Sequence, residues 1–291
     1  MKTRRTFPAL ALSVLLGLGA VPLSYIVAPV SSACAAVQTA AEWYQRGSEA
    51  QDAEQYEEAV QDYTEAIRLD PTYAEAYNNR GVVYCVLQEY ERALGDCTEA
   101  ICLDSQYAGA YYNRGNAYKG LTQYRAAIED YTEAIRLQPK FAAAYNNRGN
   151  TYGEMKQYEK AIEDFTKAIR LEPTFALAYN NRGKVYLNLG RYDEVVADCT
   201  EALRLDPEYV APYLNRGGAY ACLEAYGNAI QDFSEAIRLE PFNAKAYAGR
   251  GYSYFCIGRY ADAAQDAKRA DQLAPGSADA VFELLREHGD Q

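Results

Sequence analysis

An Arg-Gly pair returns every 34 residues along this chain, as Arg46-Gly47, Arg80-Gly81, Arg114-Gly115, Arg148-Gly149, Arg182-Gly183, Arg216-Gly217 and Arg250-Gly251, without one insertion. A unit of that length cannot bury a core alone, so it has to bury its apolar faces against its neighbours. Seven units fill Ala40 to Ser277, with 39 residues before and 14 after, leaving no room for a second folded domain.

Within the unit Ala142 to Phe175, apolar residues fall into two helical runs. Tyr145, Gly149 and Tyr152 mark the first. Tyr158, Ala161, Ile162, Phe165, Ala168, Ile169 and Leu171 mark the second, and Pro173, which cannot continue a helix, follows it. The spacing predicts helix, turn, helix.

With places numbered one to thirty-four in each unit, an aromatic stands at place four (Trp43, Tyr77, Tyr111, Tyr145, Tyr179, Tyr213, Tyr247) and a small residue at place twenty (Ala59, Ala93, Ala127, Ala161, Val195, Ala229, Ala263). Alanine holds place twenty-seven throughout, from Ala66 to Ala270, and proline holds place thirty-two except at Ser105. This pattern, over about four fifths of the chain, resembles the tetratricopeptide repeat. The resemblance implies an all-α, right-handed superhelical solenoid of seven helix-turn-helix units, 40–73, 74–107, 108–141, 142–175, 176–209, 210–243 and 244–277. Residues 278–291 read as a C-terminal capping helix, with Ser277 as its N-cap and Val281, Phe282, Leu284 and Leu285 as its apolar side.

One departure from the family is systematic. Arginine replaces the usual leucine before the glycine, and an aspartate follows sixteen residues later in every unit. A charge in a leucine's place needs a partner. Arg80, Arg114, Arg148, Arg182 and Arg216 are therefore expected to pair with Asp96, Asp130, Asp164, Asp198 and Asp232, in their own or an adjoining repeat. An arginine row for anionic ligands is the alternative.

In the family the first helices line a concave groove in which extended peptides lie, at places two, five, six, nine, twelve and thirteen. Place six here is Asn79, Asn113, Asn147, Asn181 and Asn215 in five consecutive repeats, resembling the asparagine ladder of some members. An asparagine amide both donates and accepts, so it can grip a peptide unit without reading sequence. Around the ladder stand Asn78, Asn146 and Asn180 at place five, Asn116, Asn150 and Lys184 at place nine, and Lys119 and Asn188 deeper in. Tyr112, Tyr252 and Phe255 are candidate pocket residues. The cationic set of the family's clamp for a C-terminal carboxylate is missing.

The net charge of −11 argues against nucleic acid as a partner. With one histidine, His288, no Gly-rich phosphate loop and no metal-type spacing, the sequence points to no enzyme, metal or cofactor. The 28 tyrosines are what repeated aromatic slots produce. Lys2, Arg4 and Arg5, the apolar run from Phe7 and the small residues Ala33-Cys34-Ala35 read as an export signal. A twin-arginine route, an uncleaved anchor and a lipoprotein Cys34 stay open, and each places the repeats outside the cytoplasm, in the periplasm or on the outer face of the envelope. The other cysteines read as structural: Cys97 and Cys199 occupy the second-helix aromatic slot.

The function expected from these residues is an exported, non-enzymatic adaptor holding an extended peptide segment of a protein partner, in envelope assembly or secretion. A scaffold acting by its convex face or by self-association is the alternative, and a glycan-chain carrier a remoter one. Membrane attachment is expected only through the leader.

Overall fold

The computed structural model describes residues 38–289, so the readings of the leader, Cys34 included, lie outside the described residues. The first seven helices are α1 (Ala40–Asp52), α2 (Tyr56–Leu69), α3 (Ala74–Val86), α4 (Tyr90–Leu103), α5 (Ala108–Gly120), α6 (Tyr124–Leu137) and α7 (Ala142–Glu154). Then come α8 (Tyr158–Leu171), α9 (Ala176–Asn188), α10 (Tyr192–Leu205), α11 (Val210–Cys222), α12 (Tyr226–Leu239), α13 (Ala244–Cys256), α14 (Tyr260–Leu273) and α15 (Asp279–Gly289). The described residues form an all-α solenoid of seven helical hairpins and a capping helix.

Local chemistry sets the ends of these helices. Thr39 opens α1 with a capping box: its hydroxyl accepts from the Glu42 N–H while the Glu42 carboxylate accepts from the Thr39 N–H. Inside each hairpin the turn places one residue, at place fifteen, in the left-handed region, with φ between 57° and 78°. Glycine serves there only at Gly190 and Gly258; Glu54, Gln88, Thr122, Lys156 and Glu224 accept the strain. Second helices end just before place thirty-one, where the following proline forces an extended backbone. Asp104 adopts the same geometry before Ser105, its carboxylate accepting from the Gln106 N–H.

The Arg-Gly pair meets the residues at places twenty-three and twenty-four of the second helix. A Cβ on Gly149 would lie 3.1 Å from the Phe165 ring and 3.2 Å from the Ala161 carbonyl oxygen; at Gly47 it would lie 2.8 Å from the Tyr63 ring. The glycine thus lets the two helices of a hairpin close onto an aromatic. Place-twenty alanines and Val195 are fully buried, as are the alanines at place twenty-seven. Cys97 and Cys199 are buried free thiols in that aromatic slot.

The end cap departs from expectation in one respect. Ser277 does not cap α15: its hydroxyl oxygen is buried without a hydrogen-bond partner, and the helix starts at Asp279. Gly276, at φ 82°, turns the chain so that Ala278 and Val281 reach the core, and Phe282 and Leu285 pack beside them. Packing of α15 on α13 and α14, rather than a polar cap, fixes the final helix.

Candidate functional site

Successive first helices touch one another, α1 on α3, α3 on α5 and so on to α13, whereas among the described residues successive second helices do not. The first helices therefore form the inner, concave side of the curve and the second helices splay outside. Place six lies on that inner side.

Each ladder amide is held by the preceding repeat. Asn79 Nδ2 donates to the Tyr44 hydroxyl at 2.9 Å, and Asn113 Nδ2 to Asn78 Oδ1 at 2.9 Å. Asn147 Nδ2 donates both to the Tyr112 hydroxyl and to Asn116 Oδ1, at 2.9 Å each. Asn181 and Asn215 donate to the Oδ1 atoms of Asn146 and Asn180, at 3.1 and 2.9 Å. The row stops at repeat seven, where a Cβ on Gly249 would fall 2.4 Å from the Phe233 ring.

Several sequence-derived site residues are relocated by this network. Asn78, Asn146 and Asn180 do not face the groove: they are 5, 1 and 5 % exposed and serve as acceptors between repeats. Tyr112 is likewise a packing residue, its ring tilted against Phe141 at 4.8 Å and Tyr131 at 5.9 Å, its phenol pushed above its ordinary pKa by burial. Asn147 turns its amide wholly inward, since its Oδ1 accepts from Asn146. Among the ladder residues, the Oδ1 atoms of Asn113, Asn181 and Asn215 take no side-chain hydrogen bond from the described residues.

The centre of the groove is different. Asn150, Glu154, Lys156, Asn181, Lys184 and Asn188 surround a hollow of about 230 Å³. Lys119 approaches from α5, half-buried; burial above all, and the charge of Lys184, hold its ammonium below the ordinary lysine value against the pull of Glu154. Towards repeat seven Tyr252 is 39 % exposed, while Phe255 packs beside the core that α14 shares with the end cap and meets the Tyr260 ring edge-on at 5.4 Å.

The arginines are spoken for. Arg148 Nε and Nη2 grip both oxygens of Asp164 at 2.8 Å, and Nη1 donates to Thr132 of the preceding repeat at 2.9 Å. The same fork joins Arg80 to Asp96, Arg114 to Asp130, Arg182 to Asp198, Arg216 to Asp232 and Arg250 to Asp266, each within its own repeat. In these pairs both side chains are at most 19 % exposed, which leaves no open arginine row for an anionic ligand. The hydroxyl at place twenty-five, Thr64, Thr98, Thr132, Thr166, Thr200 and Ser234, is the partner that sequence reasoning missed; its recurrence at the 34-residue period was the available signal.

Family models agree with this geometry. The model described as "Tetratricopeptide repeat" matches residues 74–107, 108–141, 142–175 and 176–209, a second of that description matches 214–278, and a "TPR repeat" model matches 52–88. The chain belongs to the tetratricopeptide repeat family. This family mediates protein–protein interaction.

Among solved structures, the chain is similar to MamA, with 29 % identity over 55 % of this chain and 94 % of that one and a TM-score of 0.50. It is similar also to YrrB, described as a TPR protein with an unusual peptide-binding site, at 27 % identity over 63 % of this chain and 95 % of that one, TM-score 0.51. Pseudomonas aeruginosa PilF, at 21 % identity over 75 % and 97 % and a TM-score of 0.65, shares the fold. No curated protein matches the chain.

Proposed function

We propose that this tetratricopeptide protein is a non-enzymatic, exported adaptor that holds an extended peptide segment of a protein partner along its concave groove, in envelope assembly or secretion. The observation that carries this reading is the ladder itself. Each place-six amide is fixed in one orientation by an acceptor from the preceding repeat, so the free Oδ1 atoms of Asn113 and Asn215, both half-buried, and of Asn181, which is 8 % exposed and lines the central hollow, are set before a peptide arrives. Pre-organisation of this kind lowers the ordering cost of binding. Three peptide N–H groups accepted at a net ~0.5–1.5 kcal/mol each give weak binding, so side-chain contacts must add to it. The likeness to YrrB, with its described peptide-binding site, supports the groove as the working surface. The leader read from the sequence supports export.

A scaffold acting by its convex face is the second reading, and one fact favours it: the ladder donors are satisfied within the protein, as a stability device would require. Crosslinking with mass spectrometry on the envelope fraction separates the two. Changing Asn113 and Asn181 to Ala should abolish partner capture, whereas Tyr112→Phe, which removes one of the two inward acceptors of Asn147, should lower the melting temperature and leave capture intact. Partners that persist in the double variant would favour the convex face.

A further inference from the structure

We infer that the middle of the groove holds a subsite for a carboxylate side chain, an Asp or Glu within the bound segment. This rests on the groove reading above and adds a chemical preference to it.

The basis is a local reversal of charge. The chain carries −11 overall, yet Lys156 just after α7 and Lys184 on α9 line one hollow with Glu154 as the one carboxylate of its lining, and Lys119 on α5 lies close enough to feel the charges of both Glu154 and Lys184; these are three of the eight lysines that follow residue 38. The interior arginines are saturated by aspartate and hydroxyl partners, as described above. The ammonium groups of Lys119 and Lys184, in contrast, make no hydrogen bond or ion pair with the described residues. Glu154 supplies one negative charge against these ammoniums, so the hollow keeps a positive excess that an entering anion offsets.

The surroundings suit a carboxylate. Asn150 and Asn188 line the same hollow and bring amide N–H donors to it, so an entering oxygen pair meets both charge and directional donors. The groove continues on both sides, with Asn113 in front and Asn215 behind. A segment lying along it therefore presents a side chain here, not a chain end. Glu154 competes for the same ammoniums and sets how strongly an outside carboxylate is preferred.

The test is selection of a displayed random peptide library on the full chain, compared with the full chain carrying Lys119→Met and Lys184→Met, and with Glu154→Gln. The expected result is enrichment of Asp or Glu at one position of the selected peptides. Purified acidic peptides should bind about five- to tenfold more tightly than their amide twins, with the gap closed in the double lysine variant and widened in Glu154→Gln. Peptides selected without an acidic position would overturn the subsite and leave the groove reading standing. No enrichment above the Asn113→Ala, Asn181→Ala control would remove the groove reading and the subsite together.

Discussion

Repeats one and four carry the same Arg and Asp at the same spacing and do different things with them. Arg148 makes a two-pronged pair with Asp164 and reaches back to Thr132. Among the described residues no hairpin precedes Arg46, whose Nη1 donates to Gln38 Oε1 at 3.4 Å instead. Arg46 is 42 % exposed, stacks 4.4 Å above the Trp43 ring, and meets Asp62 at 3.4 Å and Glu58 at 3.9 Å, leaving Asp62 Oδ2 buried without a hydrogen-bond partner. The lesson is that the ion pair closes within one hairpin but is completed by a hydroxyl of the hairpin before it. The hydroxyl of one hairpin orients the guanidinium that closes the next, so the full bond set forms only where a neighbour precedes.

Three substitutions sharpen or break that comparison. The largest effect belongs to Asp164→Ala, which leaves Arg148 largely buried without its counter-charge; a loss of roughly 3 kcal/mol is expected in urea unfolding. An unchanged midpoint would mean that the fork contributes nothing. Thr132→Val should lose about 1 kcal/mol, because it frees one guanidinium nitrogen without unpairing the charge. If the hydroxyl orients the pair, combining Thr132→Val with Asp164→Ala should cost less than the sum of the two.

The smallest effect is Asp62→Asn, within about 1 kcal/mol. Burial raises the Asp62 carboxyl above its ordinary value, Arg46 opposes that, and Glu58 adds to it. A carboxyl raised on folding stabilises when protonated, and that contribution is lost as pH rises through its folded pKa. The Asp62→Asn variant should therefore match or exceed the parent at pH 7, and its relative advantage should shrink as pH falls below the carboxylate range. A clear destabilisation at pH 7 would show that repeat one forms the interior pair in solution.

Much of the fold was legible in the sequence because a 34-residue period with two helical runs and a terminal proline admits few arrangements. The site was legible only in part. Asn113 and Asn215 are half-buried on the inner helices, as their place suggested, but Asn181 at the same place is buried, as are Asn78 and Asn146 one place earlier in their repeats. A helix turns about 100° per residue, and whether place five or place six meets solvent depends on how tightly the next first helix packs. Ser277 misled for a related reason: a good capping residue counts for less than the burial of Ala278 and Val281.

By itself the sequence determined the number of hairpins, the helices and their turns, the residues that must be small, and that each Arg needs an Asp, since each follows from local periodicity and from the cost of an unpaired charge; that the Asp is the one in the same repeat was decided by the structure. Only the tertiary structure decided that the threonine of one hairpin serves the arginine of the next, that the ladder amides spend their donors on the preceding repeat, and that Lys119 and Lys184 stand near each other across three first helices. Those are contacts between residues about 16 to 65 positions apart, and their geometry is set by the packing of one hairpin on the next.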